Sequence, residues 1–292
     1  MSKAYVFFNP LAGNGRCAED VNTLKTLISD EIVMCDMTKS STYEETLFSV
    51  DAEDNIILCG GDGTLNRFIN LVDNVDDIKP DILYFPTGSG NDFAFDLGKA
   101  RGDKPFSIKK YLKNLPSVTV NGKTYKFING VGYGIDGYCC EEGDRIRATS
   151  DKKVNYTSIA IKGLLFKYKP TAAKVTVDGV EHTYKKVWIV PTMNGRYYGG
   201  GMMPTPDQTR DAKDKKVSVM VFHDTGKLKT LMIFPSLFKG EHVKHKKAVD
   251  IFCGHEITVE FDSPRALQID GETVLDVTSY TAMSKKAVTI NA

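Results

Sequence analysis

The chain has 292 residues, of which 41% are hydrophobic and 26% charged, with 38 basic side chains against 37 acidic ones. This is the composition of a folded globular protein, not a disordered one, and its length suits one large or two ordinary domains of roughly 100–200 residues. A net charge of +1 lacks the basic excess of a dedicated nucleic-acid binder, so no nucleic-acid partner is expected.

No apolar run approaches the roughly 20 residues of a spanning helix, and residues 1–8 lack the charged-then-apolar layout of a signal peptide. Six cysteines, at positions 17, 35, 59, 139, 140 and 253, follow no metal-ligand spacing, and reduced thiols are expected. These features place the protein in the cytoplasm, reaching any membrane from its inner face.

Residues 4–8 form an apolar run that stops at Asn9-Pro10, a strand and its turn. Val21, Leu24, Leu27 and Ile28 then share one helical face. Residues 31–35, 55–58 and 82–85 are further strands, and 43–50 and 65–72 further helices. Strands alternating with helices predict an α/β domain with a parallel sheet and helices on both faces. After about residue 116 the pattern changes. Asn121-Gly122, Asp178-Gly179 and Asp270-Gly271 each stand between β-rich runs, and such dipeptides favour the type I′ turn because both central residues need positive φ. Strands at 185–190, 217–222, 256–261 and 287–290, with helical insertions near 154–166 and 227–238, predict a mainly antiparallel β-sandwich. The expected boundaries are 1–127 for the α/β domain, with 281–292 available to complete it, and 128–280 for the β domain.

Three glycine-rich turns follow strands of the first domain: Asn9-Pro10-Leu-Ala-Gly13-Asn-Gly15, Gly60-Gly61-Asp62-Gly63-Thr64-Leu65-Asn66 and Pro86-Thr-Gly88-Ser89-Gly90-Asn91-Asp92. In open α/β sheets ligands bind beyond the carboxyl ends of the strands, where these turns converge. Glycines let backbone N–H groups approach an anion, and a helix N-terminus adds its dipole. Thr64 and Ser89 carry hydroxyl donors for phosphate, whereas Asp62 and Asp92 suit Mg²⁺. The bland alternative makes each turn a tight connection and Asp62 a helix cap. Neither the P-loop nor the Rossmann fingerprint is present.

Taken together, these turns resemble the diacylglycerol kinase catalytic family, which includes bacterial lipid kinases and sphingosine kinases. The resemblance extends to residues 127–136, to 199–206 and to Leu267-Gln-Ile-Asp270-Gly271-Glu272. It implies ATP and Mg²⁺ as cofactors, with ATP in a cleft between the domains. It also implies ATP contacts from Asn9 and the turn after it, from Thr38, from residues 61–64 and from Ser89, and proton acceptance from a lipid hydroxyl by Glu272. Asp62 and Asp92 complete the catalytic set, with diacylglycerol the default acceptor. In bacterial relatives an acidic loop holds a structural Mg²⁺, and Asp211 and Asp214 match it in type, although this loop is about two residues longer. Arg67 and Gly90 depart from the family pattern. The family often dimerises, so a homodimer is a further expectation. The alternatives are an NAD kinase-like phosphotransferase and a non-catalytic nucleotide- or lipid-binding module. The basic run 239–247, beside Leu237-Phe238, suits either an anionic membrane surface or a solvated loop. Residues 156–166 and Trp188 are expected in the core.

Overall fold

The computed structural model describes residues 2–10, 17–150 and 154–285, and the chain divides into two units, Met1–Asn114 and Leu115–Ala292. The first unit holds strands β1 (Lys3–Phe8), β2 (Glu31–Asp36), β3 (Asn55–Gly60), β4 (Asp81–Pro86) and β5 (Phe106–Ser107). Its helices are α1 (Cys17–Leu27), α2 (Ser40–Ser49), α3 (Asp62–Leu71), α4 (Asp92–Asp96) and α5 (Lys109–Leu112). The sheet order is β2-β1-β3-β4-β5. The first four strands run parallel, as expected, and the short edge strand β5 pairs antiparallel with β4. Four consecutive residues of β3, Ile56 to Cys59, are buried, which an alternating amphipathic strand could not tolerate and a sheet covered on both faces requires. Val21 and Leu24 of α1 pack with Ala4, Val6 and Ile57 on one face.

The second unit contains β6 (Ser117–Val120), β7 (Lys123–Lys126), β8 (Gly130–Tyr133), β9 (Thr171–Val177), β10 (Val180–Ile189), β11 (Thr192–Met193), β12 (Val217–His223), β13 (Val249–Gly254), β14 (Glu256–Ile269) and β15 (Glu272–Met283). Its pairings are all antiparallel. Long β14 pairs with strands at two places in one ten-stranded sheet. Residues 257–261 pair with β9 and 267–269 with β8. The ladder to β15 slips between Glu260 and Arg265, where Pro264 has no N–H to donate. Helices α6 (Ile135–Thr149), α7 (Tyr156–Lys162) with a π-turn (Gly163–Lys167), and α8 (Lys227–Ile233) with a 3₁₀ turn (Phe234–Lys239) cover a separate apolar cluster.

The three Asn/Asp-Gly pairs all adopt positive φ at both positions and close β6–β7, β9–β10 and β14–β15, as their sequences predict. The domain boundary moves. Residues 115–127 belong to the second unit, because β6 pairs with β15 and β7 with β6. Residues 281–283 likewise continue β15 instead of completing the first domain. The strand expected at 287–290 lies outside the described residues. Trp188 is buried, its indole N–H donating to the Thr225 carbonyl at 3.1 Å. The 156–166 stretch only partly joins the core. Leu164 and Ala160 are buried, but Ile161 and Phe166 are exposed.

Asp270 holds the hairpin against β8. Its carboxylate accepts from the amides of Ile128 (2.7 Å), Asn129 (2.8 Å) and Gly130 (3.0 Å), and its own N–H donates to the Gly130 carbonyl. Removing the carboxylate strands buried donors, each costing about 1–3 kcal/mol. We predict that Asp270→Ala lowers the unfolding free energy by about 3–5 kcal/mol in urea titrations; an unchanged midpoint would show that the clamp does not hold the strand.

Candidate active site

The carboxyl ends of β1 to β4 lie side by side, since Phe8 is in register with both Asp36 and Cys59, and Gly60 with Pro86. The segments leaving this edge carry Asn9, Pro10, Thr38, Gly60 and Thr87. Met37 N–H donates to the Phe8 carbonyl, and Thr38 is fixed by Asp36, whose carboxylate accepts from the Thr38 amide and hydroxyl. Gly13 lies outside the described residues.

Two of the glycine turns interlock. The Gly60 carbonyl accepts from Thr87 N–H (2.8 Å), Gly88 N–H (3.3 Å) and the Tyr84 hydroxyl (3.0 Å). Burial, with Asp62 nearby, pushes the Tyr84 phenol well above its ordinary value, which keeps it a donor. A Cβ on Gly88 would fall 2.4 Å from Gly61 Cα, and one on Gly61 would fall 2.9 Å from Gly88 Cα. No other residue fits either position without moving backbone. Thr64 is buried, its hydroxyl folded back over Gly60, 2.1 Å from where a Cβ there would stand. Gly63 and Ser89 are exposed.

Asp62 has a task the sequence did not reveal. Its two oxygens accept from the amides of Asp92 (2.9 Å) and Phe93 (3.0 Å), capping α4 and tying the second turn to the third. Asn91 adopts the left-handed conformation (φ 53°), and its Nδ2 donates to the Gly88 carbonyl at 2.8 Å. Its Oδ1 is buried without a hydrogen-bond partner, 2.7 Å from where a Gly88 Cβ would stand. Asp62, Asp92 and this orphaned Asn91 oxygen are hard oxygen donors, the type Mg²⁺ takes.

In the acidic loop Asp211 and Asp214 are both exposed. The loop is braced by its own cations. Lys215 Nζ donates to the Arg210 carbonyl (3.1 Å), and the Arg210 guanidinium donates to the Ile128 carbonyl and to Asn129 Oδ1.

Within the second unit, Glu272 begins β15 at the hairpin tip and is exposed. Thr273 ties the tip to α6 by donating to Asp144 at 2.6 Å. The helix runs close to β14, for a Cβ on Gly137 would meet the Ala266 carbonyl at 1.9 Å. A second support passes through Gln268, whose Oε1 accepts from the Gly271 amide (2.6 Å). The Gln268 side chain also hydrogen-bonds Asp136. Asp136 is buried at the start of α6, and its Oδ2 accepts from the Tyr198 hydroxyl (3.1 Å). Burial pushes its carboxyl up to about 6, against lowering by the Gly137 amide and the Tyr198 hydroxyl. Only the surrounding motif was legible in the sequence, because the partners of Asp136 lie 62 and 132 residues away (198 − 136 and 268 − 136).

The sign of the Asp136 effect follows from linkage. Its folded value lies above the ordinary 3.8, so the folded state holds the proton more tightly. Stability is therefore full below about pH 4 and is lost as pH rises through about 6. A shift of about two units corresponds to about 3 kcal/mol. We predict that Asp136→Asn gains on the parent by about that amount between about pH 4 and pH 7, measured by urea unfolding at both values; a pH-independent difference would refute it.

Residues 3–120 match the diacylglycerol kinase catalytic domain, and residues 129–291 match the YegS C-terminal NAD kinase beta sandwich-like domain. A diacylglycerol kinase of Mycobacterium tuberculosis (strain CDC 1551 / Oshkosh) is 26% identical over 198 residues, covering 65% of this chain and 62% of that protein. The alignment thus spans less than two thirds of that relative's length. The crystal structure of a diacylglycerol kinase from Bacillus anthracis str. Sterne is similar in fold, with a TM-score of 0.60 at 20% identity over 97% of this chain and 94% of that one. With 163 of its 292 residues matched by the second model (129–291), the chain belongs to the family of the YegS C-terminal NAD kinase beta sandwich-like domain, and residues 3–120 resemble the diacylglycerol kinase catalytic domain.

Proposed function

We propose that the protein transfers the γ-phosphoryl group of ATP to a lipid hydroxyl, with diacylglycerol as the first acceptor. The observation that carries the reading is the Cα-to-Cα meeting of Gly61 and Gly88 at the carboxyl edge of the sheet, beside the N-terminus of α3. Two glycine turns with no Cβ between them leave backbone and helix dipole as the surface offered to a phosphate chain. Exposed Gly63 and Ser89 belong to that surface. Asp62, Asp92 and Asn91 carry the oxygens that would hold Mg²⁺, which when bound neutralises phosphate charge.

Glu272 is assigned as proton acceptor. The lipid oxygen forms its bond to the γ-phosphorus as the bond to ADP breaks, and the hydroxyl proton passes to the Glu272 carboxylate and then to water. Exposure on a tip held by Asp270, Gln268 and Thr273 suits a base that must meet an incoming alcohol and release its proton. The reading requires the nucleotide turns and Glu272 to serve one ATP–alcohol pair.

The test uses the purified chain with labelled ATP, Mg²⁺, a panel of diacylglycerol, sphingoid base and other lipid alcohols, and NAD as the competing acceptor. Phosphorylation of a lipid alcohol and not of NAD is expected. Glu272→Gln should lower turnover by about 10²–10⁴-fold while ATP affinity stays nearly unchanged. Retained turnover in that variant removes Glu272 from the mechanism, and NAD phosphorylation overturns the acceptor class.

A further inference from the structure

Asp136 is buried in the first turn of α6, and its Oδ2 atom fills space that any side chain on the neighbouring strand would need. A Cβ on Gly132 of β8 would fall 1.6 Å from that oxygen and 2.6 Å from Gln268 Nε2. The strand admits both groups only because it carries glycine there. Tyr198, whose hydroxyl donates to Oδ2 at 3.1 Å, is itself fixed by reciprocal backbone hydrogen bonds with Met202 at 3.0 and 3.1 Å. Beyond Gln268 the chain of hydrogen bonds ends on the Gly271 amide (2.6 Å), immediately before Glu272.

This chain of bonds has a direction. Burial holds the Tyr198 phenol well above its ordinary value, so it stays a donor, and the Gly271 N–H can only donate. The Gln268 side chain therefore presents Oε1 to Gly271 and Nε2 to Asp136, and Oδ2 must accept from both Tyr198 and Gln268. A proton on Oδ2 would meet two donors, and a proton on Oδ1 would sit on a buried atom with no hydrogen-bond partner. Only the carboxylate satisfies every link, although burial opposes its charge. The titratable groups that feel this charge are Tyr198, Tyr168 after the π-turn, Tyr280 of β15, and Cys139 and Cys140 of α6. Burial pushes all five up, toward their neutral forms. The Arg265 guanidinium of β14 lies over the Tyr168 ring at 5.2 Å. Cys140 also feels Glu272, so the buried and the exposed carboxylate act on the same thiol.

We propose that Asp136 and Gln268 are positioning residues for Glu272. The negative charge of Asp136 orients the Gln268 amide, which holds the Gly271 N–H and so fixes the backbone from which the Glu272 carboxylate projects. This deepens the phosphotransfer reading and rests on it for the role of Glu272. It also accounts for a buried charge that works against stability, since the ionisation that weakens the fold is the one that orders the tip.

The test compares kcat on detergent-dispersed diacylglycerol for the parent and Asp136→Asn across the pH range around 6. Dividing one by the other cancels every group that the two proteins share. The ratio should rise from about 1 to about 10 as pH passes through about 6, the gain of a charge-assisted over a neutral hydrogen bond, with the KM for ATP unchanged. Asp136→Asn is expected to be the more stable protein at neutral pH, so its slower turnover there does not come from unfolding. Tyr198→Phe removes a donor that favours the charged form, so its midpoint should lie at higher pH than the parent's. A flat ratio, or a Tyr198→Phe midpoint that stays in place, overturns the proposal. Amide hydrogen exchange at Gly271 needs no activity and keeps the brace apart from the kinase reading. Gln268→Met and Asp136→Asn should each lose about tenfold of the Gly271 protection at neutral pH. Unchanged protection in both overturns the proposal even where Glu272→Gln abolishes turnover. Retained turnover in Glu272→Gln overturns positioning of a catalytic base, whatever the Gly271 exchange shows.

Discussion

Much of this structure depends on one interaction, a carboxylate that accepts hydrogen bonds from consecutive backbone amides of a segment remote in sequence. Asp62 takes the amides of residues 92 and 93, Asp178 those of 255 and 256, and Asp270 those of 128, 129 and 130. Where a chain enters a helix or strand at a sharp turn, its first N–H groups have no ladder partner and still demand an acceptor. A carboxylate meets two or three at once through charge-assisted bonds, which a neutral side chain cannot match. All three aspartates precede glycine, and for Asp178 and Asp270 that pair also makes the tight turn. One dipeptide thus reverses the chain and ties it to a distant segment.

The local half of this arrangement is legible in the sequence and the distant half is not. Asn-Gly and Asp-Gly need positive φ wherever they occur, so the three hairpins could be placed from the residues alone. The strand ends carrying the glycine turns were equally visible, because apolar runs stop at them. What Asp62 and Asp270 hold lies about 30 and 140 residues away, and no periodicity reports a contact at that separation. The sequence alone offers Asp62 as a metal-facing residue or a cap of its own helix, and does not reveal that it also caps another. The hairpin β6–β7 was legible as β structure, but its pairing with β15, a strand far along the chain, was not. Residues 156–166 misled in the opposite sense. Their apolar content suggested burial, but a helix passing into a π-turn turns only part of its surface inward.

Asp136 runs against the stabilising logic of the three clamps. It is buried, one oxygen has no partner, and burial raises its proton affinity. A site where polar placement works against stability is usually one that function retains. Its link through Gln268 to the Gly271 amide gives that cost a direction, because the next residue is Glu272. A carboxylate at an exposed tip has many rotamers, and the backbone beneath it is the part a protein can fix. Asp270 fixes that backbone from one side and Gln268 from the other.

Gly61 and Gly88 show why the nucleotide-turn reading does not rest on glycine content alone. A lone glycine after a strand is most often a way to turn. Here neither residue has positive φ, so conformational freedom does not explain the choice. Contact does, since each glycine's missing Cβ is the space that the other's backbone fills. Neighbouring strands lie about 4.8 Å apart, and the chain leaving them would ordinarily diverge under the side chains it carries. Holding two departing turns together concentrates amide dipoles at one point of the sheet edge. That concentration is what a polyanion can use and what a simple connection would have no reason to build.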